Sequence, residues 1–173
     1  MEVTNRVVDL VKEGVYVALR VRLKLDDSGS LIVKRLGMSQ ALLVTSPAQL
    51  AKQGTPSQPL DLAHFDTVAM SAIDGRASDT LFGPGGAEFV WQHQPRYLAD
   101  DMETLKRAVL QGIGATFLPE YMCSAELPDA RLVPVMPGWS PPQSIVHAVF
   151  PSRRGLAPAV RCFLDYLGAT PIS

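Results

Sequence analysis

Apolar residues recur along this chain with two periods, and the switches between them mark its elements. Val3, Val7, Leu10 and Val11 fall on one face at helical spacing, with Gly14 as the stop. Residues 15–21 (VYVALRV) form a β-branched, mostly apolar run that predicts a strand buried on both faces. A polar turn at residues 24–30 (KLDDSGS) separates it from apolar runs at 31–33 and 41–44, which predict two further strands. Ser46 suits a helix N-cap and Pro47 its first residue; the short helix they open gives way to a loop at 52–59. A helical turn at 60–65 precedes a strand at 67–71. The Gly-, Asp- and Ser-rich stretch 72–86 predicts a loop or loose hairpin, with strands at 87–91 and 96–98.

Asp100 followed by Glu103 resembles a capping box, and Met102, Leu105, Ala108 and Val109 carry the helix it opens as far as Gly112. A strand at 115–118 stops at Pro119, residues 118–124 read as helical, and 132–135 as a short edge strand because of its proline. PGWSPP (137–142) links to a strand at 145–150. Pro158, Val160, Phe163, Leu164 and Leu167 then make an amphipathic helix that stops at Gly168. Strands alternating with helices predict α/β layers with mainly parallel pairing.

Gly112-Ile113-Gly114 tests a nucleotide-binding reading directly. Phosphate-binding loops place their glycines after a strand and open a helix, so that backbone N–H groups face the anion. Here a helix comes first and a strand follows. Gly112 is therefore the left-handed residue past a helix end.

Composition narrows the function. Hydrophobic residues make up 47% and charged residues 19%, with a formal net charge of −1, as in a globular protein without a nucleic-acid-binding patch. Cys123 and Cys162 have no cysteine nearby in sequence, which predicts two reduced, buried thiols in a cytoplasmic protein and no structural zinc. No apolar run is long enough to span a bilayer, and Met1 leads into a polar segment where a signal peptide would be apolar.

His64, His93 and His147 lie far apart and in no metal-ligand spacing, so metal and cofactor are both expected to be absent; His147, between Val146 and Ala148, reads as a core or hinge histidine. The chain contains neither GxSxG nor GxxxxGK[ST], and its paired aspartates, Asp26-Asp27 and Asp100-Asp101, are explained by turns and helix capping. No catalytic residue is expected, and the chain is read as no enzyme.

One set of blocks carries more information than any single motif. VVDLVKEGVYVALRV, LIVKRLG, ALLVTSPAQLAKQGTP, LDLAHFD, DDMETLKRAVLQGIGATFLPEY, LPDARLVPVMPGW and HAVFPSRRGLAPAVRCFLDYL occur in the order found in LysR-type transcriptional regulators, from about Val7 to Leu167. The chain resembles their C-terminal effector-binding (substrate-binding) domain. That resemblance implies a periplasmic-binding-protein type II-like α/β fold, with two lobes joined by two crossover segments and facing across a cleft. Residues 1–44 with 149–173 would form the first lobe, and 45–148 the second. Gly14, Ala18 and Arg20 match the family's GfDvAiRiG pattern, whereas Tyr16 and Arg22 depart from it, altering the cleft-side geometry and charge expected there.

The family's N-terminal winged helix-turn-helix, its linker helix and the first strand–helix–strand unit of lobe one have no counterpart before Met1. The expectation is an N-terminally truncated regulator, or a gene read from an internal methionine, with the first lobe incomplete. By the resemblance, the function is small-molecule sensing that regulates transcription in the full-length protein; the alternative is a stand-alone solute-binding protein of the same fold. The expected partners are a small-molecule effector, with a carboxylate suited to the helix N-terminus at Asp101 to Glu103, and further copies of the chain. DNA would be reached only through the missing helix-turn-helix, and no membrane is involved.

Effector-binding candidates follow by position, each with a structural alternative. Arg20 suits a bidentate carboxylate clamp or a surface ion pair. Ser46 suits ligand contact or the N-cap. Asp101, Met102 and Glu103 suit the cleft or capping and packing, and Thr116 either points inward or packs.

Overall fold

The computed structural model describes residues 9–10, 12–25, 31–151 and 158–169. The predicted N-terminal helix lies outside them, apart from the buried Leu10 and the turn that ends at Gly14, whose φ is +66°. In chain order the strands are β1 (Ala18–Arg22), β2 (Ile32–Ser39), β3 (Ala41–Thr45), β4 (Val68–Ala69), β5 (Ala77–Phe82), β6 (Glu88–His93), β7 (Tyr97–Leu98), β8 (Thr116–Pro119), β9 (Val133–Pro134) and β10 (Ser144–Phe150). The α-helices are α1 (Pro47–Gln53), α2 (Met102–Leu110), α3 (Glu120–Cys123) and α4 (Pro158–Ala169), with a 3₁₀ turn at Pro59–His64.

The chain divides into two compact units. Gln40–Pro142 builds unit one, and the described residues on either side of it build unit two. The divisions therefore fall at 39/40 and 142/143, whereas the expected lobe limits at 44/45 and 148/149 lie inside β3 and β10.

In unit one, β3 is flanked by β8 and β9, antiparallel to both. A parallel bridge between Thr67 and Ala115 ties the start of β4 to the start of β8, and β4 pairs in parallel with β7. Sheet faces alternate along β3, so Leu43 enters one core with Leu62, Phe65, Leu81 and Trp91. Val44 enters the other with Val68, Leu105, Val109 and Leu118. Two covered faces explain the unbroken apolar run ALLV.

Helix α2 presents Leu105, Ala108 and Val109 to that second core. Its end is a Schellman closure: Gly112 at φ +72° donates its N–H to Val109 O at 2.9 Å, and Ile113 donates to Ala108 O at 3.1 Å. Gly114 follows because the chain must pass close to its neighbour; a Cβ there would sit 2.8 Å from Asp66 O.

In unit two, β10 lies between β1 and β2, antiparallel to both, with a bulge between Val146 and His147. Ala148 and Phe150 pack with Leu164 of α4. Lys34 of β2 donates to Leu164 O at 2.7 Å. His147 is buried, with Nδ1 3.2 Å from Ile145 O.

Several expectations are corrected. Ladders in the two larger sheets run mainly antiparallel, because both pass through a reversed strand. β3 runs opposite to β8 and β9, and β10 opposite to β1 and β2, so these two central strands are the reversed ones. The VYVALRV run is not buried on both faces: among the described residues β1 pairs with β10 alone, and Leu19 and Val21 are each 50% exposed. Of the two readings of residues 72–86, the hairpin holds, with the whole of β5 inside the stretch; α4 continues through Gly168, and Cys162 is exposed while Cys123 is buried.

Candidate functional site

Unit one contains an open-sided pocket of about 600 Å³. It is built at the carboxyl end of β4, where open α/β sheets tend to bind ligands. Residues 70–73 leave that strand and reach a two-residue turn, Asp74-Gly75, with φ of +51° and +74°. Positive φ at both central positions suits a hairpin turn, and Ile73 and Arg76 exchange backbone hydrogen bonds of 2.8 and 2.9 Å across it. β5 and β6 then pair in full register, from Ala77 opposite His93 to Phe82 opposite Glu88.

Trp91 and Phe117 form part of the apolar wall, their rings edge-on with centroids 6.2 Å apart. Trp91 is locked from behind, since its indole N–H donates to Leu62 O at 3.1 Å. Met70, Met102 and Leu105 complete that wall with flexible side chains able to fit a range of shapes.

His93 stacks on Trp91 at 4.3 Å and is held at both ring nitrogens. Asp79 Oδ2 lies 3.0 Å from Nε2, and Thr67 Oγ1 lies 2.7 Å from Nδ1. In the neutral tautomer with its proton on Nε2, the ring donates to the Asp79 carboxylate and Nδ1 accepts from the threonine hydroxyl. Carboxylate, imidazole and hydroxyl thus stand in the order of a hydrolase relay. Thr67, however, is 1% exposed and does not line the pocket, so its hydroxyl meets no substrate there. The arrangement fixes the orientation of a wall.

Two opposite charges border the pocket: Arg76 and Asp79. Asp79 is engaged by His93, whereas Arg76 forms no ion pair with any described residue. Among the described residues, no group of three or more His, Cys, Asp or Glu side chains comes together to hold a metal.

Of the six sequence candidates, the pocket brings together Met102 and Thr116. Ser46 is buried as the N-cap of α1, accepting from Gln49 N at 3.3 Å. Asp101 caps α2 by accepting from Thr104 N at 2.8 Å, and hydrogen bonds from Thr104 hold its carboxyl below the usual carboxylate range. The cap is therefore one residue later than the predicted Asp100 box, and the first-turn N–H of Thr104 already has an anionic partner. Glu103 pairs with Arg107 at 3.3 Å on the exposed face of α2. Arg20 belongs to β1, in unit two.

Sequence reasoning missed Arg76, Asp79, Trp91 and His93. The dipeptide Asp74-Gly75 is the signal that would have placed the first two on a hairpin.

Comparisons extend this description. The family model described as LysR substrate binding domain matches residues 1–171. The transcriptional regulator PtxR of Pseudomonas aeruginosa is 31% identical over 159 residues, covering 92% of this chain and 50% of PtxR. The regulator CrgA of Neisseria meningitidis is 26% identical over 161 residues, covering 92% of this chain and 52% of its own. The chain spans about half the length of these curated relatives. Its fold is similar to the regulatory domain of CrgA, with a TM-score of 0.77, 24% identity, and coverage of 93% of this chain and 78% of that one. It is similar again to full-length AphB of Vibrio cholerae, with a TM-score of 0.83, 22% identity, and coverage of 97% and 56%.

Proposed function

The chain belongs to the LysR substrate-binding domain family, and on that premise we propose that it is the small-molecule-sensing part of a longer LysR-type transcriptional regulator. The observation that carries this reading is the family match across residues 1–171, supported by a pocket with an apolar wall and a polar rim in unit one. Its relatives are regulators of transcription, which sets aside the stand-alone solute-binding alternative and places the chain in a family that is not one of enzymes. Occupancy of the pocket would favour one conformation over another, and contact with DNA and between copies would belong to the longer protein. No helix among the described residues is long and apolar enough to cross a membrane, and a cytoplasmic location is part of this reading.

Ser46, Asp101 and Glu103 enter it as supports of α1 and α2. Met102 and Thr116, which line the unit-one pocket, enter as ligand contacts.

The test is a thermal-shift screen of the purified chain against a broad panel of small carboxylates, aromatic acids, sugars and amines. At least one compound is expected to raise the melting temperature in a dose-dependent way, as binding to the folded state alone requires. A panel without a single saturable shift overturns the reading.

A further inference from the structure

We propose that the unit-one pocket takes a small, planar, apolar monocarboxylate whose carboxylate is bound by Arg76; this rests on the sensing role above and specifies its ligand. Three observations lead there. Trp91, Phe117 and Met70 offer an apolar surface of the kind that packs against a flat ring or conjugated chain. The guanidinium of Arg76, on the same pocket, has no ion-pair partner among the described residues, and its planar fork matches a carboxylate with two parallel hydrogen bonds.

Asp79 limits the choice further. It also lines the pocket, forms no ion pair with Arg76, and holds His93 Nε2 at 3.0 Å through its Oδ2. A second carboxylate on the ligand would meet that fixed negative charge, whereas a neutral edge or a hydrogen-bond donor would not. The rest of the rim, Ser71, Ser78 and Gln92, is uncharged and adapts to either.

The anion is therefore held by a side chain on the Asp74-Gly75 turn. The α2 N-terminus is not its anchor, since Asp101 already occupies that helix start. A ligand bridging Arg76 to the Trp91 and Phe117 wall would tie the Ile73–Arg76 turn to β8, giving occupancy a mechanical consequence within unit one.

Isothermal titration of the intact chain with benzoate, benzamide and terephthalate tests this directly. Benzoate is expected to bind, with benzamide and terephthalate each weaker by about tenfold or more, the loss expected when one charge-assisted pair is removed or opposed. Arg76→Gln should weaken benzoate by a similar factor without changing the melting temperature of the free protein, because the side chain is exposed. Arg76→Lys should restore part of the loss.

Equal affinity for benzoate and benzamide overturns the proposal, as does full benzoate affinity in Arg76→Gln. The comparison of the three probes on the unmodified chain needs no variant to fold. If none of them binds while the broad panel yields another ligand, the monocarboxylate assignment fails and the sensing role stands. If the panel is silent too, both fail.

Discussion

At Gly114 the chain entering β8 passes so close to the start of β4 that a Cβ would lie 2.8 Å from Asp66 O and 2.9 Å from the carbonyl carbon of Thr67. At Gly112 the constraint is different: there is room, with Ser46 Oγ at 3.4 Å, but φ is +72°. An alanine at Gly112 strains one backbone angle and should cost about 1 kcal/mol. An alanine at Gly114 must push two backbone segments apart and should cost about 3 kcal/mol, while displacing Thr116 and Phe117 in the pocket wall. Denaturant melts of both variants separate the cases; equal destabilisation would show that the close approach is not what demands glycine. Caps of this local kind are legible in sequence, since Ser46 and Gly112 act on residues three or four positions away. The Thr67–His93–Asp79 chain is not, because its members stand 26 and 14 positions apart and only the folded hairpin brings them together.

Among the elements, most helices and strands follow from periodicity, and the errors share a cause. A run such as VYVALRV predicts a strand without saying who its neighbours are, so the expectation of full burial fails at β1. That strand has β10 on one side, and Leu19, Val21 and Leu23 project from one face at 50%, 50% and 58% exposure. An exposed strand edge beside apolar side chains favours pairing between chains. The isolated protein is expected to self-associate as its concentration rises, and the double variant Leu19→Lys/Val21→Lys to reduce this. Sedimentation velocity decides: a monodisperse monomer across tens of micromolar, unchanged by the lysines, would contradict the expectation. For residues 72–86, Gly, Asp and Ser leave a loop and a loose hairpin both open, and the structure has the hairpin β5–β6; Asp74-Gly75 is a separate tight turn ahead of it, and on its far side Arg76 becomes a pocket residue. The direction of each ladder was illegible for a simpler reason. Alternation of strands and helices does not reveal which strands become sheet neighbours, and direction is a property of the pair.

For the whole molecule, the placement of β10 between β1 and β2 sets an order of assembly. During synthesis, residues 18–39 leave the ribosome more than a hundred positions before the central strand they both require. Gln40–Pro142, by contrast, is one continuous stretch that contains all of its own sheet partners. It is therefore able to finish folding while its flanks still wait, as domains made in sequence generally do. A chain terminated after Pro142 should retain the cooperative melt of this inner segment and lose the β1–β10–β2 ladder, as read by amide exchange; a wholly unprotected product would refute the sequence of events. The same asymmetry gives the nascent flank its hazard, for until Ser144–Phe150 emerges, nothing made so far can pair with it as its native centre does.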